Sequence, residues 1–275
     1  MIEVDELTVI HGLERYRRCQ DGRVERYTSS SYGDAFADVY DDWYRGVSDI
    51  DATVALIDRL ASEAGRRSVL ELGVGTGRLA VPLAQRGLAV TGIDASEAML
   101  ERLRQRDPDG TVTTITGDMV GDVPDGPFGA VLVAYNTLFN LTSAQRQSAC
   151  FAAAARSLTP GGSFVVEAFV PEDPPRQGSH VELRSMSATD VVLSVSTHRP
   201  GEQRAEGQFI HLVDGGQVRL RPWSIRYAPP AELDAMADAA GLALASRWED
   251  VTGRPFDPYS PRHVSVYTRR ERSVT

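Results

Sequence analysis

Between residues 65 and 170, short apolar runs alternate with stretches of helical spacing. The run at 68–72 ends in a glycine cluster, that at 88–93 ends at Asp94, and the β-branched run at 111–116 ends at Gly117-Asp118. The run at 129–135 is continuously apolar, as a strand buried on both faces requires. Between them lie helical patterns at 78–85, at 96–106 with Ser96 as N-cap, and at 143–158. A Thr-Pro-Gly-Gly turn then leads into a further strand at 163–169. This βαβαβ rhythm predicts a doubly wound parallel sheet.

The flanks follow other rules. Residues 33–47 and 49–64 have helical spacing, the second with Val54, Ile57, Leu60 and Ala61 on one stripe and Gly65 just past its end. Residues 1–31 are polar and irregular, and read as a short appended element and a loop. After Pro171 four alternating runs (181–186, 191–198, 207–213 and 218–227) are separated by turn residues without a helix between them, which predicts antiparallel hairpins. A helix from Pro229-Pro230 to Ala240 and two strands, 242–249 and 263–269, complete the chain. The pattern divides it at 1–64, 65–170, 171–228 and 229–275.

Composition narrows the chemistry. All 29 basic side chains of the 275 residues are arginine, against 38 acidic ones, for a net charge of -9. Without lysine there is no Schiff-base anchor and no phosphate-loop lysine. An acidic chain is also poorly suited to a phosphate backbone, so no nucleic-acid partner is expected. Cys19 and Cys150 have no paired spacing, and no apolar run approaches the ~18 residues of a membrane span. The expectation is a reduced, cytoplasmic α/β protein without a membrane partner. Only two asparagines occur, Asn136 and Asn140.

Chemistry gathers first at Glu71-Leu72-Gly73-Val74-Gly75-Thr76-Gly77-Arg78. A strand running into alternating glycines and then a helix lets the backbone approach a ligand, with free N–H groups facing it. Asp94 closes the next strand, where a carboxylate can accept both ribose hydroxyls. A dinucleotide site, and with it a nicotinamide-dependent oxidoreductase, is the rival. Its third glycine would fall at 78, where Arg78 stands.

These residues resemble motif I of the class I S-adenosylmethionine (SAM) methyltransferases. The likeness continues through Gly92-Ile93-Asp94-Ala95-Ser96-Glu97-Ala98-Met99-Leu100, Gly117-Asp118-Met119 and Leu158-Thr159-Pro160-Gly161-Gly162. It implies an α/β fold: a doubly wound, seven-stranded, Rossmann-like sheet carrying an antiparallel β insertion and an N-terminal helical lid. It implies SAM as cofactor, leaving S-adenosylhomocysteine (SAH) as product. Glu71, Gly73, Gly75, Thr76, Gly77 and Arg78 would hold the methionine moiety, and Asp94, with Ala95 and Met99 beyond it, the ribose side. Gly117, Asp118 and Met119 would serve the adenine, Asp118 accepting from its amino group.

The acceptor is written less clearly. Tyr135-Asn136-Thr137-Leu138-Phe139-Asn140-Leu141 lacks the Asn/Asp-Pro-Pro-Tyr of base and glutamine methylases. It resembles the Asn-Ser-x-x-His-Leu signature of glycine/sarcosine and amino-sugar N-methyltransferases, with Asn140 in place of the histidine. The segment holding Tyr32, Tyr40, Trp43 and Tyr44 resembles the aromatic lid of that group. Tyr40, Trp43, Tyr135 and Asn136 are therefore candidates for the cofactor side, and Tyr32 and Asn140 for the acceptor. His211 and Glu167 are the candidates for the acceptor-binding group or base, with His211 more readily read as an ordinary strand histidine. The metal-dependent O-methyltransferases of this fold use a lysine this chain lacks, and no metal is expected. An amine acceptor of a small natural product is favoured over a hydroxyl. The hairpins after 171 either roof that acceptor or join a homodimer or higher homo-oligomer.

Overall fold

The structure, a computed structural model, describes residues 24–269. The expectation for the first residues, and Cys19 with it, lies outside that range. Two compact units are present: Thr28–Pro175 with Ile225 onward, and Arg176–Ser224 together with residues 24–27.

The larger unit is built on a seven-stranded sheet of order β10-β11-β5-β4-β1-β2-β3. Its strands are β1 (Ser68–Leu72), β2 (Ala89–Asp94), β3 (Val112–Thr116), β4 (Phe128–Val133), β5 (Leu158–Phe169), β10 (Leu242–Trp248) and β11 (Arg262–Arg269). The five from β5 to β3 are parallel, and β11 runs antiparallel to both β5 and β10. Every residue of β4 is buried, which is why that segment reads as an unbroken apolar run. The helices are α1 (Ser31–Phe36), α2 (Tyr40–Trp43), α3 (Ile50–Glu63), α4 (Ala80–Gln85), α5 (Glu97–Arg106), α6 (Ala144–Ser157) and α7 (Pro230–Ala239). Asp49, Ser96 and Ser143 cap α3, α5 and α6 by accepting a backbone N–H three residues on.

Two expectations are corrected. Residues 33–47 form two short helices, α1 and α2, rather than one, and the bend at Val39 lets Asp34 and Asp41 reach different partners. The turn at 159–162 lies inside β5, because Leu158 already pairs with Phe128 and the ladder slips before Ala130 meets Ser163.

The second unit is a four-stranded sheet in chain order: β6 (Gly178–Met186), β7 (Asp190–Arg199), β8 (Arg204–Val213) and β9 (Gln217–Arg226). Its hairpins follow the expected positions. Opposed residues share a face, so Val181, Val195 and Gln208 lie on one side and Ser194 and Phe209 on the other. Val181, Leu183 and Met186 are exposed at 69%, 57% and 70%.

Within the larger unit, Gln147 of α6 ties distant segments together. Its amide donates to the carbonyls of Leu141 and Arg226 at 3.1 and 2.6 Å and accepts from the Arg226 guanidinium, which also pairs with Glu232. Replacing Gln147 with Leu strands buried polar groups and should lower unfolding free energy by about 2–4 kcal/mol. Chemical denaturation of the two proteins checks it.

Candidate functional site

The loop after β1 rests on the end of β2, with the Gly73 and Val74 N–H groups donating to the Ile93 carbonyl at 2.8 and 3.0 Å. Its glycines have different reasons to exist. At Gly77, φ is +75° and a Cβ would stand 2.7 Å from Leu103 Cγ, so the helix behind excludes a side chain. At Gly75, φ is +55° but no atom lies within 4 Å of the missing Cβ; that side of the loop is open. The Gly75 N–H donates to Asp94 Oδ2 at 2.8 Å, and the Ser96 N–H to Oδ1 at 2.9 Å. Burial raises the Asp94 carboxyl above its usual range, opposed by these N–H groups. Each oxygen keeps a lone pair for a hydroxyl.

Glu71 stands near the carboxyl end of β1, an interior strand of the sheet. It is buried, and its Oε2 has no hydrogen-bond partner among the described residues. Desolvation pushes its carboxyl up to about 8, against the pull of Arg78 and the Ala80 N–H. Arg78 itself stands over the Tyr135 ring, 4.7 Å from its centroid, and donates to Ser48 Oγ at 2.7 Å. The space a dinucleotide fold needs for its third glycine is therefore not where this arginine goes.

The N-terminal segment is fastened to this loop at Thr76 and Arg78, and to α5 and its cap at Arg106 and Ser96. Asp34 accepts from Ser96 Oγ at 2.7 Å, Asp41 from Thr76 Oγ1 at 2.7 Å and from Arg106 at 2.6 Å, and Ser48 from Arg78. Its aromatic rings lock one another: Tyr32 stacks on Phe36 and donates to the Tyr44 hydroxyl at 2.9 Å, Trp43 meets Phe36 edge-on, and Tyr44 leans on Tyr40 and Tyr135. Burial raises the Tyr40 phenol above its ordinary range.

After β4 the chain turns through two successive left-handed residues, Tyr135 (φ 60°) and Asn136 (φ 64°). Such backbone costs a non-glycine residue about 1–2 kcal/mol. The end of β5 holds it in place. The Asn136 N–H donates to the Glu167 carbonyl at 3.0 Å, the Tyr135 N–H to Glu167 Oε2 at 3.3 Å, and Asn136 Oδ1 accepts the Phe169 N–H at 2.7 Å. Glu167 is thus brought beside the β4 corner, its carboxyl raised by burial. Asn140 is half-buried on the following turn, with no side-chain hydrogen bond among the described residues. Burial pushes the Tyr135 phenol up to about 12.

At the end of β3, Asp118 Oδ1 accepts the Val120 and Gly121 N–H groups at 2.9 and 3.0 Å, and Oδ2 pairs with Arg146. Gly117 and Met119 on either side are half-buried, as is Ala95. Met99 is 2% exposed on α5, under Gly33 of α1. His211 belongs to the other unit, where its Nε2 meets Asp190 Oδ1 at 3.1 Å. Asp34, Asp41, Ser48, Arg106, Arg146 and Asp190 were not legible as partners in the sequence, because each acts on a residue far away in the chain.

The larger unit's donors and acceptors fit SAM. A buried carboxylate oxygen without a partner suits the methionine ammonium, an open glycine suits the chain beside it, and Asp94 suits the ribose diol. Among the described residues no three His, Cys, Asp or Glu side chains are grouped to hold a metal ion, and no helix is long and apolar enough to cross a membrane.

Known proteins agree with this geometry. A methyltransferase domain family matches residues 69–162. The CcbJ methyltransferase from Streptomyces caelestis is 38% identical, with a TM-score of 0.82 over 89% of this chain and 100% of that one. The cypemycin N-terminal methyltransferase of a Streptomyces species is 29% identical over 210 residues, 74% of this chain and 84% of that protein. SAM-bound CalS10, an amino pentose methyltransferase from Micromonospora echinaspora involved in calicheamicin biosynthesis, shares the fold. It is 23% identical with a TM-score of 0.64, covering 84% of this chain and 96% of that one.

The two glycines should separate under mutation. Gly77→Ala meets Leu103 and should lower the melting temperature of the free protein. Gly75→Ala incurs only the backbone term of about 1–2 kcal/mol, yet should weaken SAH binding at least tenfold, because its Cβ enters the open side of the loop. Thermal melts with and without SAH distinguish the two.

Proposed function

This chain belongs to the class I S-adenosylmethionine-dependent methyltransferases, and we propose that it methylates an amine nitrogen of a small natural product, without a metal ion and mainly by positioning. Membership in the family removes the nicotinamide-dependent oxidoreductase. The observation that carries the acceptor reading is Glu167, a desolvated carboxylate at the carboxyl end of β5, beside the left-handed corner of Tyr135 and Asn136. The name of the cypemycin N-terminal methyltransferase points to the same class of nitrogen in a natural product.

Bound SAM supplies an electrophilic methyl group on a positively charged sulfur, open to in-line displacement by a lone pair. Alignment and exclusion of water are the protein's main tasks. In this reading Glu71, the glycine loop and Asp94 hold the cofactor, with Tyr40, Trp43 and Tyr135 around it, while Tyr32 and Asn140 border the acceptor. Glu167 receives the acceptor as an ammonium ion, takes its proton and leaves a neutral amine. Burial raises the carboxyl toward the pKa of an amine and improves that match. An aliphatic hydroxyl would need a far stronger base.

A second reading is favoured by one contact. Asp190 on His211 Nε2 is the arrangement that orients a histidine base, which would suit O-methylation. The exposed Val181, Leu183 and Met186 are in keeping with a homo-oligomer, and a cytoplasmic site of action accords with a supply of SAM.

Incubation with labelled SAM and paired amine and hydroxyl acceptors tests the reading; label in hydroxyl products alone would overturn it. Glu167→Gln should reduce kcat/KM on the amine by about 10²–10⁴ at neutral pH. That defect should shrink as the pH rises toward the amine's own pKa, where the acceptor is neutral without help.

A further inference from the structure

We propose that Arg146 is a positioning residue, which orients the Asp118 carboxylate so that it reads the amino group of the cofactor's adenine. The inference rests on the reading of Asp118 as the adenine acceptor and adds to it a side chain outside every motif that marks the cofactor site.

An ionised carboxylate has four lone-pair directions and no donor. Two of those on Asp118 are taken at Oδ1 by the Val120 and Gly121 N–H groups, and one at Oδ2 by the Arg146 guanidinium. A single direction remains, on Oδ2. The backbone donors fix only Oδ1, so Arg146 is what holds the second oxygen in one orientation.

Electrostatics needs the arginine as well. Asp122 accepts the Asp118 N–H at 2.8 Å, which sets a second carboxylate close by. Asp122 packs against the bare face of Gly117, where a Cβ would stand 2.8 Å from its own Cβ. Arg146 offsets this local negative charge through its ion pair with Asp118 Oδ2. Its own backbone is fixed in the first turn of α6, where its N–H donates to the Ser143 cap at 3.2 Å.

A carboxylate offering one oriented lone pair accepts an N–H of an exocyclic amine and repels a carbonyl oxygen in the same place. The pair therefore selects a 6-amino over a 6-oxo purine. Losing one direct hydrogen bond is a smaller change than turning the acceptor away, so the selectivity itself is the sensitive readout.

The test is calorimetric binding of SAH and of S-inosylhomocysteine, its 6-oxo counterpart, to the native chain, Arg146→Met, Arg146→Lys and Asp118→Asn. The native chain should prefer SAH by about tenfold or more, the scale of a charged hydrogen bond. In Arg146→Met that preference should fall to within about threefold through weaker SAH binding, and Arg146→Lys should restore part of it, since a point charge replaces a planar fork. The side chain is 45% exposed, so the unliganded melting temperature should hardly move. If Arg146→Met keeps the full preference while Asp118→Asn loses it, the role of Arg146 is overturned and that of Asp118 stands. Tighter SAH binding by Arg146→Met would make the arginine a competitor for Asp118 and equally overturn the inference. An unchanged preference in Asp118→Asn would overturn the adenine reading itself, and the inference with it.

Discussion

A carboxylate buried on the interior strand β1, with one oxygen left unpartnered among the described residues, is the constraint around which the larger unit is arranged. Glu71 cannot shed its desolvation through the sheet, because Leu70 and Leu72 on either side of it are wholly buried. It is relieved only from the loop that follows, by the Ala80 N–H and the nearby Arg78 charge. The glycines bring that loop back against β2, and the same fold of backbone delivers the Gly75 N–H to Asp94. Two carboxylates, on the adjacent strands β1 and β2, are thus held above their ordinary pKa range.

The N-terminal segment depends on the same loop. Asp41 fastens α2 to Thr76, and Ser48 fastens the chain beyond it to Arg78, so the segment is tied to two residues of the glycine loop. The Asp41–Arg106 pair is partly exposed, at 42% and 32%, and contributes little by itself. The Asp34–Ser96 bond adds a further tie, to the cap of α5. Arg78 links the segment to the β4 corner, since its guanidinium stands over the Tyr135 ring and Glu167 accepts the Tyr135 N–H.

Much of this was legible in the chain. Strand β1, the Ser96 and Ser143 caps and the hairpins after 171 follow from local rules: periodicity, side-chain capping and turn residues. The glycine loop and Asp94 are legible because their roles are carried by nearby backbone. What escaped is long-range and polar. No local pattern marks Asp41 as the partner of Thr76, or Arg146 as that of Asp118, for the partners lie 35 and 28 residues apart. The bend between α1 and α2 escaped for the same reason, being set by what Asp34 and Asp41 reach. Asn136 is a mixed case: the scarcity of asparagine drew attention to this corner, and the structure shows its side-chain oxygen bracing the end of β5.

The central claim is that Glu71 is the counter-charge for the cofactor's ammonium. With its carboxyl at about 8, the free protein carries a proton there at pH 7 that the unfolded chain has released. Fold stability should therefore fall as pH rises from the ordinary carboxyl range through 8. Pairing with an ammonium must expel that proton. The most direct measurement is calorimetry of SAH binding at pH 7 in buffers of different ionisation enthalpy, on the native chain and on Glu71→Gln. The account predicts release of on the order of one proton by the native chain and none by the variant. Binding without proton release, or release that Glu71→Gln leaves intact, would contradict it.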